Sequence, residues 1–111
     1  MNFVFDIDGT LCTNTKGEYS KAEPYVERIN RVNELFDQGN KIILSTARGM
    51  GSSNNDVESA KDKWEAFTID QLAKWGVRYH MLFLGKPSGD LYIDDKAIKD
   101  SDFFQLNPND L

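Results

Sequence analysis

Apolar residues fall into four short runs: residues 3–5, 41–46, 79–84 and 91–95, each bounded by glycine or polar side chains. Unbroken apolar runs of this length read as strands of a parallel sheet buried on both faces. Two longer segments carry the helical period instead. Over residues 24–38, Val26, Ile29, Val32, Leu35 and Phe36 recur at three- and four-residue spacing, with Pro24 suited to a first turn and Gly39 to a stop. Over roughly 56–75, Val57, Ala60, Trp64, Phe67, Leu72 and Trp75 mark a second stripe that ends at Gly76. The aromatic part of that stripe is read as core packing. Strand, helix, strand at this spacing predicts right-handed crossovers in a mostly parallel α/β sheet flanked by helices. With 111 residues, the chain is expected to be one domain, 1–111.

Two places strain this pattern. Only six residues separate Leu84 from Leu91, whereas a parallel crossover needs ten or more. Either an extended segment returns across the sheet, or the third strand is displaced or antiparallel. His80 falls mid-strand and is expected in the core or an interface. Beyond the fourth run, Phe103-Phe104 is expected to pack back on the sheet. Asn107-Pro108 looks like a helix cap and first position.

The strand ends carry the chemistry. The first run enters Asp6-Ile7-Asp8-Gly9-Thr10, the second ends in Ser45-Thr46, and the fourth ends in Asp94-Asp95. Ligands of parallel sheets bind just beyond the carboxyl ends of the strands, so these groups are expected at one shared edge. Carboxylates gathered there require neutralisation, and a hard cation such as Mg²⁺ suits oxygen ligands. The polar stretch 11–20 reads as a loop or flap over that edge. Within it Cys12 is expected to be a small, half-buried residue.

Asp6-Ile7-Asp8-Gly9-Thr10 resembles the DxDGT motif of the haloacid dehalogenase (HAD) superfamily of phosphohydrolases, and the resemblance extends from residue 3 to residue 98. Ile42-Ile43-Leu44-Ser45-Thr46-Ala47-Arg48 is similar to the second motif, Gly85-Lys86-Pro87 to the third, and Asp94-Asp95 to the acidic fourth. The short length, the flap and the Gly85-Lys86-Pro87 pattern resemble the capless capsule-biosynthesis phosphatases of that superfamily. The resemblance implies a Rossmann-like sheet without a cap domain and an aspartyl-phosphate mechanism. It casts Asp6 as nucleophile, Asp8 as acid and base, and Thr46 and Lys86 as partners of the transferring phosphoryl group. It further implies an Mg²⁺ set of the Asp6 carboxylate, the Asp8 backbone carbonyl and the acidic pair Asp94 and Asp95, with Asp95 the direct ligand and Asp94 orienting it or bound through water. Gly9 and Arg48 are assigned to substrate binding. Arg48 has an equal alternative as a salt-bridge partner of a surface acid, and Lys74 on the second helix is the fallback for Lys86. A capless site also suggests a homo-oligomer in which a neighbouring subunit covers it.

Composition narrows the partners. A formal net charge of −5 disfavours nucleic acid, whose binding draws on Lys and Arg. No apolar run approaches a membrane span. A single cysteine excludes an intrachain disulfide and fits a reducing cytoplasm. The expected substrate is a small phosphorylated metabolite, a sugar or polyol phosphate of surface-polysaccharide synthesis. The alternatives are a phospho-aspartate switch and a non-catalytic binding domain.

Overall fold

The computed structural model describes residues 1–107 and 110, so the expectation at Pro108 lies outside the described residues. Three parallel strands, β1 (Asn2–Phe5), β2 (Lys41–Thr46) and β3 (Met81–Leu84), lie side by side in that order. Helix α1 (Val26–Asp37) joins the first two and α2 (Val57–Lys74) the second pair. The third strand is therefore neither displaced nor antiparallel.

Helix α1 begins two residues later than its periodicity suggests. Thr13 N donates to Glu23 O and Tyr25 N to Leu11 O at 2.8–2.9 Å. These bonds hold residues 23–25 beside the flap as a short antiparallel bridge, which a helix turn cannot share. Ile29, Val32 and Leu35 are buried as expected, but Val26 is exposed. Asp56 caps α2 by accepting from Glu58 N. The buried residues of α2 are Ala60, Thr68, Gln71 and Leu72, a stripe more polar than expected because Thr68 and Gln71 serve the site described below.

Two right-handed crossovers advancing in one direction place α1 and α2 on the same face of the sheet. Phe5, Ile42 and Leu44 meet Ile29, Val32, Leu35 and Leu72 there in one core. A short helix α3 (Asp100–Phe103) closes that core, with Phe103 edge-on to Phe5 at 5.4 Å and to Phe3 at 6.0 Å. Arg28 donates to Asp100 at 2.8 Å and fastens α3 to α1. The alternate side chains, Val4, Ile43 and Met81, stand in register on the opposite face, followed by Phe83. Val4 is 65% and Phe83 49% exposed, so the expectation of strands buried on both faces fails for this side.

The fourth expected strand is absent. Residues 91–95 form no ladder, and Leu91 and Ile93 are 81% and 90% exposed. β1 is consequently an edge strand. His80 precedes β3 and is exposed, contrary to a core placement. Its Nδ1 accepts from Ile42 N at 3.0 Å, and its ring stacks on Phe36. Unpaired backbone at the strand entrance explains its position.

Candidate active site

The carboxyl edge of the sheet is where residues far apart in sequence converge. The chain leaves β1 at Asp6 and turns sharply: Thr10 N and Leu11 N both donate to Ile7 O, and Gly9 N donates to Cys12 O. Gly9 takes φ +83°, a conformation that glycine adopts without steric cost. Its amide is spent inside this turn, so Gly9 shapes the loop and has no N–H to offer a substrate here. The turn directs Asp6 and Asp8 to one side.

Asp6 Oδ1 accepts from Ile7 N at 2.8 Å, and its Oδ2 lies 3.6 Å from Lys86 Nζ. Gly85 N and Lys86 N both donate to Thr46 O, which hangs the lysine loop from the end of β2 and aims it at β1. Burial raises the Asp6 pKa above the ordinary carboxylate value. Lys86 and the Ile7 N–H oppose that shift, and the Asp8 charge adds to it. Lys74 pairs with Asp70 on the exposed side of α2, so Lys86 is the lysine at the carboxylates.

Asp8 is held by a fork. Arg48 Nε donates to Oδ2 at 2.9 Å and its NH2 to Oδ1 at 3.0 Å. Only 1% of Arg48 is exposed. Its NH1 donates to Thr68 Oγ1, and the guanidinium lies over the Tyr19 ring at 4.8 Å. Arg48 is thus a buried partner of Asp8, neither a surface ion pair nor an open contact for substrate. Thr46 is fully buried, and its Oγ1 accepts from Arg48 N at 3.1 Å, which leaves its hydroxyl hydrogen available. Cys12 is completely buried, more so than expected. Its Sγ lies 3.6 Å from Asp8 Oδ1, and burial first, with the Asp8 charge, pushes the thiol pKa up to about 12.

Tyr19, Thr68 and Gln71 were not foreseen. Gln71 Nε2 donates to Tyr19 O, and Tyr19 OH accepts from Gly49 N. These bonds fasten the flap to α2 and to the Arg48 loop. Polar Thr68 and Gln71 at four- and three-residue steps from Trp64, on the inner stripe of a helix, are the signal the sequence carried. Gly49 is required at the crossing: with φ +76°, a Cβ there would meet Trp64 Cδ1 at 2.6 Å and Ala60 Cα at 3.2 Å.

Beside this arrangement lies a cavity of about 360 Å³, walled by Tyr19 and Trp64 and bearing Lys16, Lys63, Ser52 and Ser88. A second hollow, of about 420 Å³, lies between α1 and the tail, and neither is lined by Asp6, Asp8, Gly9, Thr46, Arg48, Lys86, Asp94 or Asp95. Asp94 and Asp95 are exposed, while Tyr92 just before them lays its ring 4.1 Å from Lys86 Nζ. Asp94 Oδ1 accepts from Lys96 N, and that bond is the main cause of its lowered pKa. Among the described residues no three His, Cys, Asp or Glu side chains gather so as to hold a metal ion. Asp94 and Asp95, which the resemblance expects beside Asp6 and Asp8, are thus not gathered with them among the described residues, where residues 91–95 form no strand.

No family model matches the chain, and no curated protein matches it. Two solved structures are similar. A structural-genomics target from Vibrio cholerae, known from its crystal structure, is 28% identical with a TM-score of 0.89. The match covers 98% of this chain and 91% of that one. A chain of the Pnkp1/Rnl/Hen1 complex is 24% identical with a TM-score of 0.55; the match covers 94% of this chain but 34% of that one. The second likeness shows the fold alone. Both bear on a small α/β domain with a parallel sheet. No helix among the described residues is long and apolar enough to cross a membrane.

Proposed function

We propose that this chain is a HAD-type phosphomonoester hydrolase that acts on a small phosphorylated metabolite through an aspartyl-phosphate. The observation that carries the reading is the meeting of Asp6 and Lys86 at 3.6 Å, with Asp8 two residues on and Thr46 at the end of the adjacent strand. A carboxylate nucleophile divides one difficult displacement into two easier ones.

In the first step an Asp6 oxygen attacks phosphorus in line, the P–O bond to the leaving group breaks, and Asp8 gives the departing oxygen its proton. In the second step water attacks the phosphorus of the aspartyl-phosphate. Asp8 takes the water's proton, and the bond to Asp6 breaks, releasing inorganic phosphate. Lys86 and the Thr46 hydroxyl face the charge that builds on the transferring group. Arg48 is a positioning residue: its fork sets the Asp8 carboxyl, and one of its bonds opens when Asp8 carries the proton. Among the described residues no third carboxylate joins Asp6 and Asp8, and each of these steps uses the protein's own side chains.

The neighbouring cavity, which adjoins the site through Ala47 and Tyr19, supports a small substrate. Its volume lies within the usual range for small-molecule sites of roughly 300–1,000 Å³. Its aromatic wall suits a sugar or polyol face, and its two lysines suit one anionic group. Net charge −5 argues against long polyanions. A role in surface-polysaccharide synthesis and a cytoplasmic setting belong to this proposal by family likeness.

The test is phosphate release from an aryl phosphate, then from a panel of sugar phosphates, polyol phosphates and 5′- or 3′-phosphorylated oligonucleotides. Turnover that Asp6→Asn abolishes is expected. A stoichiometric phospho-protein without turnover would favour a phospho-acceptor switch, and preference for oligonucleotides would overturn the substrate class.

A further inference from the structure

The cavity beside Tyr19 differs in charge from the chain as a whole. The sequence holds 18 Asp and Glu against 13 Lys and Arg, yet no acid lines this cavity, and Lys16 and Lys63 both do. Other lysines on the same two elements are paired. In the flap Lys21 meets Glu18, and on α2 Lys61 and Lys74 meet Glu65 and Asp70. Neither Lys16 nor Lys63 makes an ion pair among the described residues. For Lys63 the sequence supplies the reason. The positions three and four residues away hold Ser59, Ala60, Ala66 and Phe67, so no acid shares its side of the helix. Its ammonium stays at the aromatic wall, 5.6 Å from the Trp64 ring centroid.

The cavity is also fastened to the phosphoryl site. Ala47 on its wall directly follows Thr46, and Ser88 stands two residues past Lys86. Consecutive Cα atoms are about 3.8 Å apart, so the two walls begin within roughly 8 Å of the phosphoryl partners. Ser88 is held in place: its N–H donates to Asn55 Oδ1 at 2.9 Å. Tyr92 braces the same loop, donating to Pro87 O and accepting from Gly89 N. Lys86 is already engaged, 3.6 Å from Asp6 and 4.1 Å from the Tyr92 ring. With Lys86 and Thr46 assigned to the transferring phosphoryl group, the charges of Lys16 and Lys63 remain unanswered.

Two unpaired cations at one end of a small cavity suit a second negative charge. We infer that the substrate carries a second anionic group, a carboxylate or another phosphate, remote from the reacting phosphoryl, and that Lys16 and Lys63 receive it. Tyr19 and Trp64 flank the carbon skeleton between the two charges. Their rings meet edge-on with centroids 4.6 Å apart, so they form a corner and not a flat stacking platform. Ser52 and Ser88 offer hydroxyls to those of the skeleton. The favoured substrate class is thus an acidic sugar or polyol phosphate, or a bisphosphate, ahead of a neutral sugar phosphate. Both lysines are exposed, so the preference weakens as salt is raised. The phosphoryl end of this assignment rests on the phosphohydrolase reading; the anion end rests on the cavity.

The test reads binding and turnover separately. Two matched pairs differ only by a carboxylate in place of a CH₂OH group: glucuronic acid 1-phosphate against glucose 1-phosphate, and 3-phosphoglycerate against glycerol 3-phosphate. Glucose 1,6-bisphosphate supplies a phosphate as the second charge. Calorimetric titration of Asp6→Asn with each ligand measures binding without turnover. The doubly anionic ligands are expected to bind at least about tenfold tighter than their neutral counterparts, and the tighter of the carboxylate and bisphosphate ligands identifies the second group. Lys16→Met and Lys63→Met, added to Asp6→Asn, should each lower that ratio and together bring it to about one. In the wild type the same ratio should appear in kcat/KM. Equal binding throughout, binding of none of these ligands, or a preference that the lysine variants retain overturns the inference. Turnover by the wild type without a preference overturns it too and leaves the reaction standing. A lysine-dependent binding preference with no phosphate released from any ligand would uphold the anion site and refute the proposed reaction.

Discussion

Arg48→Met tests the most consequential contact in the site. The substitution keeps a long, flexible side chain of comparable bulk while deleting the charge and all five donors. The wild-type guanidinium makes two bonds to Asp8 and one to Thr68, and it covers the Tyr19 ring. Breaking a buried pair by removing one partner typically costs about 3–5 kcal/mol, because the other charge is stranded. The Asp8 side chain keeps 17% of its surface in water, which favours the lower end of that range. The lost Thr68 bond adds about 1 kcal/mol. A total near 4 kcal/mol corresponds to a fall in Tm of roughly 15 °C for a domain of this size. Thermal melts followed by circular dichroism measure it. The decisive control is a double-mutant cycle with Asp8→Asn. If the cost lies in a stranded carboxylate, the double variant should recover about 2 kcal/mol relative to additivity. A Tm within about 3 °C of wild type, or an additive cycle, would refute the reasoning. Kinetically, a positioning role predicts a lower kcat at nearly unchanged KM.

Asp6→Asn should abolish turnover and raise Tm. The raised Asp6 pKa means that the folded state binds its proton more tightly than the unfolded state. Asp6 therefore weakens the fold as pH rises through its pKa, and the amide removes that dependence; a lower Tm at neutral pH would contradict this. Cys12 should resist a disulfide reagent at pH 8 in the native protein and react fully in denaturant, given complete burial and a pKa pushed up to about 12. Rapid native labelling would contradict its placement. For Asp100, burial raises the pKa, but the Arg28 bond and charge outweigh it and the net shift is downward. Its stabilising contribution is therefore present above the unfolded carboxyl pKa and lost as pH falls. Asp100→Asn should narrow the Tm difference between pH 6 and acid pH, and an unchanged profile would show that the clasp contributes nothing.

The three parallel strands, both long helices and the convergence of Asp6, Asp8, Thr46 and Lys86 on one edge were legible in the sequence. Apolar period and strand-end chemistry depend on local order, and local order is what a sequence displays. Three features were not legible, for one shared reason: each depends on what a residue meets across the fold. Arg48 could be read as a surface ion pair or a substrate contact until Asp8 was placed opposite it. Thr68 and Gln71 interrupt an apolar stripe and become intelligible only with Tyr19 against them. Leu91-Tyr92-Ile93 has the composition of a buried strand, but the six residues before it are too few for a parallel crossover, and the run forms no ladder.

The cavity beside Tyr19 and Trp64 has two kinds of wall. With a Cβ at Gly49 excluded by Trp64 and Ala60, the crossing of the Arg48 loop over α2 has no room for variation, and Tyr19 inherits that rigidity through its bond to Gly49 N. Lys16, Ser52 and Lys63 line the same cavity but sit on exposed backbone. On the proposed reading, substituting those three positions would change which molecule is accepted while the aromatic wall and the carboxylate geometry stay as they are. Selection for a new substrate would be expected to write its changes at the rim and leave the Gly49 crossing untouched.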